Sequence, residues 1–354
     1  MNKKSTIDLI KESIYCDTIV RDKELYDSPT KAYYDDLLQA LSIEDFPIIE
    51  INTINKRTYT FESISDKRYY LVFDHYFLDC IHEIDQIIWG KYDFLFLNSF
   101  IYKMLAEECY SNRKYALSIQ FAGQYLITID EVIKEYNEKS SDESIPNALF
   151  IQQAFLIAHE LFHYVLNRDP SLLSTGIRKK RDFLKSLQMK PIQGLLKKHT
   201  DDLHFLEECL CDATGLIQAI DIARSLGKMN AAEAASVSAM AIMGQTTVTT
   251  IQEAVKKSPD ISFELIMEKS TARLMHFMAF APQYIEDSFS VDESRMFMQK
   301  ANSMYTVWLF NTQLPVVGKL NTYKKDFQEN PVRDSLSIKE LGKAKDTLIQ
   351  VFCI

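Results

Sequence analysis

The chain has 354 residues, 47% of them apolar, enough to bury a substantial core in one large domain or two of ordinary size. A net charge of -9 and a pI near 5.4 argue against nucleic acid or an anionic membrane surface as partner. The six cysteines, Cys16, Cys80, Cys109, Cys209, Cys211 and Cys353, are scattered, unlike a secreted disulfide scaffold, so a reducing, cytoplasmic setting is expected.

The basic start MNKKSTIDLIKES leads into a broken amphipathic stretch instead of an apolar export segment, and helical patterning continues to about Leu41. Aromatic and β-branched runs then read as strands: PIIEIN at 47–52, TYTFESI at 58–64 and RYYLVF at 68–73. Ser65, Asp66 and Lys67 supply a turn between the last two. Helices follow from about Tyr76 to Trp89 and from about Leu95 to Cys109. Tyr115, Leu117, Ile119 and Phe121 alternate with polar or small residues, as do Tyr125, Ile127 and Ile129, which predicts a second hairpin over 115–129. The polar segment NEKSSDES at 137–144 is expected to be a surface loop.

From Pro146 to Asn167 apolar residues occupy nearly every face, which predicts a central, buried helix. Helical patterning returns at 201–225, 230–257, 260–278 and 292–311, while 313–354 is mixed. The uncharged stretch from Ala234 to Gln252 carries too many hydroxyls for a membrane span and reads as a buried helix. The cluster Arg178, Lys179, Lys180, Arg181 reads as a solvated face, with a phosphate or partner site as the alternative. Only nine glycines also favour helix over tight turns. The expected fold class is α+β. An N-terminal α/β region over 1–92 precedes a central region over 93–312 that carries the chemistry, and an extension over 313–354 packs on the core.

Residues 159–163 read His-Glu-Leu-Phe-His. At about 100° per residue, His159 and His163 share one helix face a turn apart, so both imidazoles reach a single ion. Glu160 lies beside them, placed to take a proton from water without ligating, as a hydrolytic zinc site requires. A shared cation also offsets the cost of burying three ionisable groups in an apolar helix. A third ligand is expected from HFLEECLCDATG at 204–215. There Glu208 can ligate while Asp212, one turn on, holds a ligand histidine. Glu207 and His204 are alternatives for that ligand. Cys209, Cys211, Ala213 and Gly215 are small enough to let this helix approach the His159 helix closely. Asp169, at the last position of a longer zinc pattern, would rotate away, because Leu166 stands where that pattern needs glycine.

His159-Glu160-Leu161-Phe162-His163 followed by Glu208-x-x-x-Asp212 resembles the gluzincin class of metallopeptidases. That resemblance implies one zinc ion and a zincin-like architecture: a small antiparallel sheet upstream of the buried motif helix, and a mainly helical C-terminal half. An edge strand would bind substrate backbone, and the 115–129 hairpin is its candidate. Size and motif position are also similar to the Lit-type phage-exclusion peptidases, which act on a translation elongation factor. The spacing suits repressor-cleaving peptidases equally.

The function expected is therefore zinc-dependent hydrolysis of a protein or peptide, with Glu160 as the base and His204, His276 or Tyr164 contacting the oxyanion or substrate. The competing expectation is a non-catalytic helical interaction protein whose metal or polar cluster only stabilises the core.

Overall fold

The computed structural model describes residues 20–21, 30, 33–64, 67–136, 145–187, 190–256 and 263–329. The 137–144 loop, Ser65 and Asp66 of the expected turn, and the chain beyond residue 329 lie outside them. The architecture is mainly helical with one small sheet.

Strands β1 (Val20–Arg21), β2 (Ile48–Thr53), β3 (Tyr59–Glu62) and β4 (Tyr69–Asp74) lie in the order β1-β2-β4-β3. The sheet is mixed, not antiparallel as expected: β2 runs parallel to β4, with Ile49 opposite Val72, while β3 pairs antiparallel with β4 on the outer edge. The reason lies in β4, whose unbroken run Leu71, Val72, Phe73 is buried on both faces and so takes the centre. Leu71 and Phe73 face the main core, and Tyr70 and Val72 join Ile49 and Ile51 on the far side. Val20 and Arg21 pair with Thr53 and Asn52, so the expected helical start is strand at that point. Helical structure before Leu41 is confined, among the described residues, to α1 (Tyr34–Ala40) and its approach.

Helices α2 (His75–Ile88) and α3 (Phe94–Ser111) follow, each capped by an aspartate, Asp74 and Asp93, that accepts backbone N–H bonds. The largest correction concerns 115–129. This stretch is helical, part of α4 (Tyr115–Tyr136), and packs along α3. Leu117, Ser118, Phe121, Ala122, Tyr125 and Val132 are buried at three-, four- and seven-residue spacing, whereas Ile119, Leu126, Ile127 and Ile133 are exposed. The alternation is real but subordinate, because Ser118 and Ala122 are inward positions that a polar-or-small reading assigns outward.

The remaining helices are α5 (Ile145–Arg168), α6 (Pro170–Ser186), α7 (Lys190–Lys197), α8 (Leu203–Ser225), α9 (Ala231–Lys256), α10 (Phe263–Ser288) and α11 (Val291–Trp308). A π turn at Leu309–Gln313 then leads into α12 (Leu314–Thr322) and α13 (Lys324–Glu329). One buried cluster runs from Tyr33 to Phe327 and joins all three regions delimited in the sequence. Four hydroxyls of α9 have partners: Ser236, Ser238 and Thr250 donate to carbonyls four residues back, and Thr247 accepts from Trp308 Nε1 of α11. Among the described helices only α5, over Asn147–Arg168, is long and apolar enough to cross a bilayer, and 72% of its most apolar window is buried within the fold.

Candidate metal centre

Helix α5 carries His159, Glu160 and His163 in its C-terminal half, and α8 packs against it. The close approach depends on Gly215: a Cβ there would sit 3.0 Å from the Phe155 ring and the Phe155 carbonyl oxygen. Cys209, Cys211 and Ala213 on the same helix are small and buried. Asp202 starts α8 by accepting the Phe205 N–H, which sets Glu207 and Glu208 in the second turn, facing α5.

His159 Nε2 and His163 Nε2 lie 3.2 Å apart. Glu208 closes the triangle, with Oε1 3.2 Å from His163 Nε2 and Oε2 3.6 Å from His159 Nε2. Donors bonded at about 2.1 Å to a tetrahedral ion stand about 3.4 Å from one another, so these spacings suit zinc. These three side chains form the one group of histidine, cysteine or acidic residues with such converging donor atoms among the described residues.

The far nitrogens explain the orientation. His159 Nδ1 lies 3.0 Å from Asp212 Oδ1, off the line of an ideal hydrogen bond, and His163 Nδ1 donates to Glu207 Oε1 at 2.8 Å. With both Nδ1 atoms turned to carboxylates, both Nε2 lone pairs meet the Glu208 oxygens at one point, which only positive charge makes favourable. Glu207, weighed from sequence as a ligand, thus orients His163. His204 is 78% exposed at the mouth, its Nδ1 3.9 Å from Glu208 Oε1.

Sequence reasoning missed Arg273, on α10. It donates through Nε and Nη2 to the two oxygens of Asp212, both at 2.6 Å, and Nη1 stands 3.0 Å from Glu208 Oε2. The signal was an arginine in the run ARLMHFMAF, apolar apart from it and His276, where an arginine needs carboxylate partners to be buried. Burial would raise the carboxyls of Asp212 and Glu208, but Arg273 and the histidines outweigh it: Asp212 is held down at about 2, and Glu208 well below the usual carboxylate range. Desolvation likewise opposes charge on His163, yet the Cys211 and Glu208 side chains push its pKa up to about 12.

Glu160 is raised in pKa by burial, against the lowering effect of His159 and His163. The other sequence candidates lie elsewhere. Tyr164 packs edge-on against Phe46 and near Tyr69, and its hydroxyl accepts from Arg168 Nη1 at 2.6 Å. His276 is fully buried between Phe183 and Phe280, with neither ring nitrogen hydrogen-bonded. In the basic cluster, Arg178 and Lys179 are exposed, while Lys180 is buried with its amine 3.8 Å from the Phe280 ring centroid, and Arg181 bonds the Thr200 carbonyl. Met240 and Met243 are core residues.

Compared with known proteins, the chain matches no protein-family model, no curated protein and no solved structure.

Proposed function

We propose that the chain is a zinc-dependent metallopeptidase that holds its ion through His159, His163 and Glu208. One observation carries the reading: two imidazoles, each turned by a carboxylate on its far nitrogen, aim their near nitrogens at Glu208 within 3.2–3.6 Å. A zinc ion held there supplies a Lewis acid for the scissile carbonyl and lowers the pKa of water. Glu160 is the proton acceptor and later donor. Its burial favours the protonated form more than solvent would, which brings it closer to working pH as a base. Asp212 and Glu207 hold the imidazole planes, and Arg273 holds Asp212.

Within this reading the fold is a zincin-like variant, and β3 replaces 115–129 as the strand proposed to align substrate. It is the edge strand beside β4 and packs against α5. A protein segment is the proposed substrate, and the narrower reading, cleavage of a host protein in phage exclusion, comes from the motif resemblance. Metal analysis of the purified chain should find about one zinc per chain. Glu160→Gln should keep that zinc and lose cleavage of a peptide library; equal turnover in the variant would overturn the mechanism, and absence of stoichiometric zinc the site itself.

The second reading, a non-catalytic interaction protein, is favoured by the exposed apolar residues Ile119, Leu126, Ile127 and Ile133 on α4. It predicts zinc without cleavage of any peptide in the library.

A further inference from the structure

Glu208 presents both carboxylate oxygens to the same point, Oε1 3.2 Å from His163 Nε2 and Oε2 3.6 Å from His159 Nε2. A free carboxylate so placed could chelate through both oxygens. With the two imidazoles, that would give four donors and complete a tetrahedral shell, leaving nowhere for water or a carbonyl to bind.

Arg273 stands against this. Its Nη1 lies 3.0 Å from Glu208 Oε2, while Nε and Nη2 are each 2.6 Å from an oxygen of Asp212. Three different nitrogens of one planar guanidinium are committed at once, which fixes the plane and the Glu208 rotamer with it. Two contacts would suffice to neutralise Asp212; the third reaches a metal-ligand candidate. A cation beside a ligand weakens metal affinity, so affinity alone does not account for it. No other arginine or lysine pairs with Glu208 among the described residues.

We propose that Arg273 is a positioning residue that occupies Glu208 Oε2, limits Glu208 to one donor oxygen, and so keeps the fourth coordination position of the metal open. The inference rests on the zinc reading above, and its test separates the two.

Cobalt(II) replaces zinc as the probe, and 2-mercaptoethanol reports the open position through sulfur-to-cobalt charge-transfer absorption in the near ultraviolet. The wild-type chain should bind one cobalt and develop that band. Arg273→Gln should still bind one cobalt but need roughly tenfold more thiol, or more, because the second Glu208 oxygen now competes for the position. Should Arg273→Gln lack the wild-type helical signal, Arg273→Lys takes its place with the same expectation, since it keeps the charge but cannot hold both carboxylates. An unchanged thiol titration overturns the inference and leaves the zinc reading standing. Loss of cobalt from the variants also overturns it, by making Arg273 a mere support for the ligand. A wild-type chain that takes up no cobalt overturns the zinc reading, and the inference with it.

Discussion

Asp212→Asn tests the site where its chemistry and its packing meet. Asp212 is fully buried and accepts from Arg273 Nε on Oδ2 and from Arg273 Nη2 on Oδ1, which also lies 3.0 Å from His159 Nδ1. Asparagine keeps the shape but replaces one accepting oxygen with a donor. Whichever way the amide turns, a donor faces an arginine N–H, and in the orientation that puts nitrogen at the Oδ1 position it also faces His159 Nδ1. Losing an orienting carboxylate behind a ligand histidine costs about 10–100-fold in metal affinity, or about 1.4–2.8 kcal/mol. Leaving the buried arginine short of a partner costs about 3 kcal/mol of stability, at the lower end for broken buried pairs because Glu208 remains beside it. Zinc competition against a chromophoric chelator at neutral pH reads the first term, and urea melts followed by circular dichroism read the second. Zinc affinity within about threefold of wild type, together with an unchanged melt, would refute the claim that Asp212 holds His159 and Arg273 in place.

Gly215→Val puts side-chain atoms where 3.0 Å separates an added Cβ from the Phe155 carbonyl and ring, so α5 and α8 must part. A loss of about 1–3 kcal/mol in urea melts is expected, with weaker zinc binding; a wild-type melt would show that the helices yield freely. Lys56 bonds Glu107 and Glu108 at 2.9 Å each in the interior. Lys56→Met should therefore cost about 3–5 kcal/mol by the same melts, and adding Glu107→Gln should recover part of it. Burial lowers the Lys180 amine from 10.5 to about 8, despite the opposing charge on Asp212. Between those pH values the unfolded chain binds more protons than the folded one, so stability rises with pH across that window. Lys180→Met should flatten the rise, and an unchanged slope of urea midpoint against pH would count against it.

Much of the fold is legible locally. β2, β3 and β4 fall within a residue or two of the runs at 47–52, 58–64 and 68–73, because branched and aromatic side chains with turn residues between them specify strand directly. The sheet's mixed order is not legible, since adjacency of β2 and β4 depends on which strand is buried on both faces. The 115–129 segment misleads for a related reason: its buried Ser118 donates to the Ala106 carbonyl of α3, a partner that no local pattern reveals.

At the site, the pairing of His159 with His163 and the adjacent Glu160 follow from sequence alone, because one helical turn is a local geometry and brings the two rings together wherever the helix lies. Nearness of Glu208 and Asp212 to each other is local in the same way. Which carboxylate turns to which imidazole was decided only by the crossing of α5 and α8, where Gly215 permits contact and Glu207 rather than Glu208 meets His163 Nδ1. Arg273, more than sixty residues beyond Asp212 in the chain, enters only because α10 packs on α8. Spacing along one helix is set by the backbone; the relation between helices is set by the side chains that must share the space between them.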